Sequence, residues 1–102
     1  MNAEYCTQIP QVKDWIHRCD ARGEAHGAAL AEAIGKTGIG PCAEAAEQYL
    51  GILENAGWIE PVRHAPTPTQ RFARDEASRL KYRRAQVWRV TDLGAEAIRG
   101  AL

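Results

Sequence analysis

Basic side chains are concentrated in one stretch of the chain, between residues 61 and 90. This stretch has eight basic residues against two acidic ones, a net charge of +6, whereas residues 1–60 have a net charge of −5. Seven of the eight are arginines, whose planar guanidinium groups can bind two oxygens of a phosphate or carboxylate at once. A partner responds to charges within a Debye length of about 8 Å rather than to the neutral total. The stretch therefore predicts a contact with phosphates or with an acidic protein surface.

The remaining reactive side chains do not predict catalysis, a metal ion or a cofactor. The cysteines are odd in number and widely spaced, which is typical of reduced thiols; they are Cys6, Cys19 and Cys42. Metal-binding C-x-x-C and H-x-x-x-H spacings do not occur, and the single serine, Ser78, has no G-x-S-x-G context. Lys36 and Thr37 resemble the end of a phosphate-binding loop, but Leu30 stands where that loop needs glycine. We predict that the protein is not an enzyme.

Length and composition limit the kinds of fold that can position these side chains. The 102 residues suit one domain, covering 1–102, and the 45% hydrophobic and 25% charged content is typical of a globular protein. No apolar run approaches the roughly 20 residues of a membrane span, so no membrane partner is expected. The predicted location is cytoplasmic.

Apolar spacing predicts a first helix and a second one. Ile9, Val12, Ile16 and Cys19 repeat at helical intervals, and Gly23 is a plausible end of the helix. A second, alanine-rich helix is predicted over 24–34, followed by a glycine-rich turn.

The third predicted helix, at about 41–56, has the clearest pattern. Its apolar face includes Ala46, Leu50 and Leu53, and we expect both leucines in the core. The residues left for the opposite side are Glu44, Glu47, Gln48, Gly51 and Asn55.

Two strands and a final helix are predicted after the third helix. Residues 58–62 form a short strand that Pro61 confines to a sheet edge. A Pro/Thr-rich loop and a short helix within residues 64–80 come next, and residues 87–90 alternate as a strand does. Thr91 is a good N-cap for a final helix whose apolar face includes Leu93, Ala97 and Ile98.

Two runs in this order resemble winged helix-turn-helix regulators of the multiple-antibiotic-resistance type. Residues 30–34, a turn and residues 49–59 resemble the helix-turn-helix, and Trp-Arg-Val-Thr-Asp-Leu-Gly at 88–94 looks like the second wing strand entering a closing helix. The resemblance covers residues 9–102. It implies an α+β fold with three helices, a two-stranded wing with a long basic loop, and a C-terminal helix. The helix-turn-helix would cover about 24–57, the wing about 58–90 and the C-terminal helix about 91–102.

The resemblance and the charge pattern together predict a DNA-binding transcriptional regulator. In that family the third helix enters the major groove, and the wing contacts the backbone or the minor groove. The predicted contacts lie in the turn, on the third helix and in the wing; they are Lys36, Thr37, Gln48, Arg71, Arg74, Arg79, Lys81, Arg83 and Arg84. Arg83 and Arg84 are expected to lie in the wing rather than in a buried pair with Glu44 or Glu47.

The third helix also supports a different function. It has no lysine or arginine but carries Glu44, Glu47 and Glu54, and carboxylates are repelled by phosphates unless they accept from a cytosine. Only Gln48 and Asn55 are ordinary base-reading residues. The alternative is a winged-helix protein-interaction module that docks its basic wing on an acidic protein partner; an RNA-binding winged helix is a third hypothesis.

The terminal helices predict self-association. They carry more apolar residues than one small core needs: Val12, Trp15, Ile16, Leu93, Ala97, Ile98 and Leu102. Related regulators bind palindromic DNA sites as dimers, and we predict a homodimer.

Overall fold

The computed structural model describes residues 2–36, 42–62 and 83–100. These residues form helices packed on a small three-stranded antiparallel sheet. The predicted α+β class is confirmed.

Two helices come first in the fold, and both contribute buried residues to the core. A short helix α1 (Ala3–Cys6), which the sequence pattern did not predict, precedes α2 (Pro10–Arg22). Proline suits the first turn of α2, and Gly23 ends the helix at φ 89°, a left-handed conformation that favours glycine. Val12, Ile16 and Cys19 are fully buried, which confirms the predicted stripe.

The next two helices pack closely against each other. Helix α3 (Gly27–Gly35) is shorter than predicted, because Ala25–His26 pair as a strand, β1, instead of joining the helix. Helix α4 (Cys42–Asn55) matches the predicted third helix within one residue at each end. Its predicted core residues Leu50 and Leu53 are fully buried.

The sheet has the order β1–β3–β2, with β2 at Ile59–Pro61 and β3 at Val87–Val90. The expected two-stranded pairing is therefore incomplete, since β1 adds a third strand, pairing Ala25 with Trp88. Strand β2 lies at the sheet edge, as the proline predicts, and pairs Glu60 with Arg89. Trp88, on the central strand, is fully buried.

The last helix, α5 (Asp92–Gly100), starts at the predicted cap. The Thr91 hydroxyl accepts a hydrogen bond from the Gly94 N–H at 3.0 Å and donates one to the Gly57 carbonyl. Ile98 is buried, whereas Leu93 is 56% exposed, so the predicted apolar face is only partly covered by the core. Leu93 sits in the first turn of the helix, one residue before the close contact of Gly94 with the Trp58 backbone.

Several predictions fall on residues outside those that the structure describes. They are the Pro/Thr-rich loop, the short helix within residues 64–80, and the predicted contact residues Thr37, Arg71, Arg74, Arg79 and Lys81. Among the described helices, none has the length and hydropathy needed to cross a membrane.

Candidate nucleic-acid interface

Helix α4 presents a polar strip to solvent, formed by Glu44, Gln48 and Asn55. Successive residues of a helix are turned by about 100°, which brings these three positions to one side, and all three are exposed. Gln48, a predicted contact residue, therefore lies where a partner can reach it.

Glu47 is not on this open side, contrary to the prediction from helical spacing. Its side chain is 1% exposed, and its Oε1 atom accepts from the backbone N–H of Arg84 at 2.8 Å and from the Arg84 Nε at 3.2 Å. Its Oε2 atom has no hydrogen-bond partner among the described residues. Burial raises the pKa of the Glu47 carboxyl above its ordinary value, and the contacts with Arg84 oppose that rise.

Glu54 forms a second pair, with Arg83, on the same side of α4. The Arg83 Nε donates to Glu54 Oε1 at 3.1 Å, and the two side chains are 27% and 26% exposed. Between the two glutamates stands Gly51, which is buried rather than open as predicted. A Cβ atom at Gly51 would lie 3.1–3.3 Å from the Arg83 guanidinium, so glycine leaves the room in which that group lies.

Residues 83–86, which we call the junction segment, are also fixed by their backbone. The Arg83 carbonyl accepts from the Trp88 indole Nε1 at 2.8 Å, and the Gln86 carbonyl accepts from the Gly27 N–H at 2.9 Å. A Cβ atom at Gly27 would lie 2.2 Å from the Arg83 carbonyl oxygen. Only glycine at the start of α3 permits this approach, and the junction segment thus contacts both α3 and α4.

The expectation that these arginines make no buried pair with Glu44 or Glu47 is therefore wrong for Arg84, whereas Arg83 pairs with the partly exposed Glu54. Each pairs with a glutamate of α4, and the two pairs neutralise two of the three carboxylates on that helix. The polar strip keeps one carboxylate, on Glu44. Sequence spacing missed these pairs, although a glycine inside a helix, at Gly51, is a known signal of a close approach.

Lys36 is the other predicted contact residue that the structure describes. It is the C-cap residue of α3 and is exposed, and among the described residues it makes no salt bridge. Its ammonium group is accordingly available to an anion near the end of α3.

The two cysteine thiols of α1 and α2 lie in the packed core rather than at a reactive surface. Cys6 and Cys19 are buried, and the Cys19 thiol donates to the Trp88 carbonyl at 3.2 Å. Burial raises the pKa of the Cys19 thiol to about 11, which keeps it protonated at neutral pH.

Comparison with known proteins adds no relative. No protein-family model matches the chain, and neither a curated protein nor a solved structure matches it at a significant level.

Proposed function

We propose that the protein is a winged helix-turn-helix transcriptional regulator that binds double-stranded DNA. The order α2–β1–α3–α4–β2–β3–α5, with β3 between β1 and β2, supports this fold. In it, α3 and α4 are the helix-turn-helix, and the hairpin of β2 and β3 with its connection is the wing.

The observation that carries the proposal is the neutralisation of α4. Three glutamates on a recognition helix would repel phosphates, but Arg84 and Arg83 engage Glu47 and Glu54. What remains exposed is the polar strip, in which Gln48 and Asn55 stand with the single carboxylate of Glu44. Amide side chains can make two hydrogen bonds to an adenine edge in the major groove.

Basic residues outside the strip suit contacts with phosphates. Lys36 is exposed at the end of α3. The connection between β2 and the junction segment carries five basic residues, which are Arg63, Arg71, Arg74, Arg79 and Lys81, against Asp75 and Glu76. Phosphate contacts of this kind position a protein on the duplex, while base contacts specify the sequence.

Fluorescence anisotropy with labelled duplexes over a salt series tests the proposal. We expect binding that weakens steeply with salt, and Lys36→Ala should lower the log–log salt slope by about 0.9, the value for one phosphate contact. Lys13→Ala, at an exposed lysine of α2, is the matched control and should leave the slope unchanged. Gln48→Ala should change the preference among sequences at constant slope.

One observation favours the protein-interaction alternative. The polar strip keeps the exposed carboxylate of Glu44, which phosphates repel unless it accepts from a cytosine. Absence of DNA binding even at about 50 mM salt, where electrostatic binding is strong, would contradict the DNA proposal and favour this one.

We further propose that the protein acts as a homodimer. The monomer core takes up Val12, Trp15 and Ile16, so these residues are not surplus. The surface that remains for self-association includes Tyr5 and Leu93, which are 53% and 56% exposed. Light scattering that gives a monomer at tens of micromolar would contradict the dimer.

A further inference from the structure

Arg83 uses only part of its hydrogen-bonding capacity. A guanidinium group has five N–H donors, and Glu54 takes the one on Nε. Among the described residues, no hydrogen bond or salt bridge engages the Nη1 or Nη2 atoms. About a quarter of the Arg83 side chain is exposed, so a ligand can reach the residue.

The guanidinium lies beside the polar strip. It packs over Gly51, within 3.1–3.3 Å of the position that a Cβ atom would take. Residues three and four apart are neighbours on a helix surface, so Gly51 adjoins both Gln48 and Asn55. A duplex whose bases reach these two amides brings its backbone close to Arg83.

We propose that Gly51 and Glu54 form a seat that holds Arg83 toward a phosphate of the DNA backbone. Glu54 is a positioning residue: it fixes Nε and leaves the Nη edge to bind two phosphate oxygens. Gly51 is the other positioning residue, because a Cβ atom there would lie 3.1–3.3 Å from the guanidinium and push it away from α4 by a few tenths of an ångström. This inference rests on the proposed DNA-binding function and identifies a phosphate contact within it.

Gly51→Ala tests the seat without changing any charge. Alanine favours a helix more than glycine does, so thermal unfolding should show a fold that is at least as stable. The affinity for a random-sequence duplex should fall about tenfold, the effect of one lost charge-assisted hydrogen bond. The log–log salt slope should fall by about 0.9.

Two further variants make the test specific. Gly100→Ala is the matched control, since a Cβ atom at this exposed helical glycine meets nothing within 4 Å, and it should bind as the wild type does. Arg83→Ala should bind at least as weakly as Gly51→Ala, and adding Gly51→Ala to it should have no further effect, because the seat acts through Arg83.

The possible results distinguish a failure of the proposed seat for Arg83 from a failure of the proposed DNA-binding function. If the wild type binds duplexes but Gly51→Ala keeps its affinity and its salt slope, the seat is overturned and the proposed function stands. Additive losses in the double variant would also overturn it. If the wild type binds no duplex at any salt concentration, the proposed function itself fails.

Discussion

The Glu47–Arg84 pair gives the sharpest stability prediction. Removing one partner of a buried ion pair typically costs about 3–5 kcal/mol. In Arg84→Ala, Glu47 keeps the backbone N–H of residue 84 as a donor, at 2.8 Å, and the lost guanidinium was 30% exposed. We therefore expect a smaller loss, about 2–3 kcal/mol of unfolding free energy at neutral pH.

The loss of unfolding free energy in Arg84→Ala should depend on pH. Burial raises the pKa of Glu47 in the folded state, so the folded protein binds the proton more readily than the unfolded chain. Stability contributed by this group therefore falls as pH rises from the ordinary glutamate value through the folded-state pKa. Without Arg84 the pKa rises further, and the difference between variant and wild type should shrink as the pH is lowered through this range.

Urea unfolding followed by tryptophan fluorescence measures both effects. Arg99→Ala is the matched control, because the Arg99 side chain is 69% exposed in its pair with Asp20 and should contribute only about 0–1 kcal/mol. Glu47→Gln added to Arg84→Ala should recover stability by removing the buried charge. Equal losses in Arg84→Ala and Arg99→Ala, or no recovery in the double variant, would refute the reasoning.

Three other predictions concern packing and thiol reactivity. Leu50→Ala should lower the unfolding free energy by about 2–5 kcal/mol in a denaturant melt, whereas Leu93→Ala, at an exposed leucine, should lower it far less. Equal losses would mean that the buried face of α4 is wrongly placed. Gly94→Ala should cost at least about 1–3 kcal/mol, since its Cβ atom would lie 2.1 Å from the backbone carbonyl oxygen that precedes β2; a melting temperature equal to that of Gly100→Ala would contradict this. Cys19 should react with a thiol reagent at pH 8 only after unfolding, because its pKa is about 11; rapid labelling of the folded protein, traced to Cys19 by mass spectrometry, would contradict its burial.

The sequence predicted well what depends on local spacing. The buried positions of α2 and α4, such as Ile16 and Leu50, follow from helical periodicity, and Thr91 was found from its capping chemistry. Strand β1 was missed because two residues, Ala25–His26, are too short for any alternation to be seen.

The candidate site was less predictable, because its contacts join distant parts of the chain. Glu47 reads as a solvated helix residue until Arg84, 37 positions later, is placed against it. The same holds for Glu54, whose partner Arg83 is 29 positions away. A charge pattern along the sequence gives the sign of a region, and only the tertiary fold decides which charges cancel each other.

The sheet order has a consequence for unwanted association. Exposed strand edges can template pairing with another chain and lead to aggregation. In the described sheet, β3 is covered on both sides, β1 offers only two residues, and β2 ends at Pro61, which has no N–H to donate. Intermolecular strand addition at this sheet is therefore disfavoured, and contacts between copies of the chain are expected to use side chains rather than these strand edges.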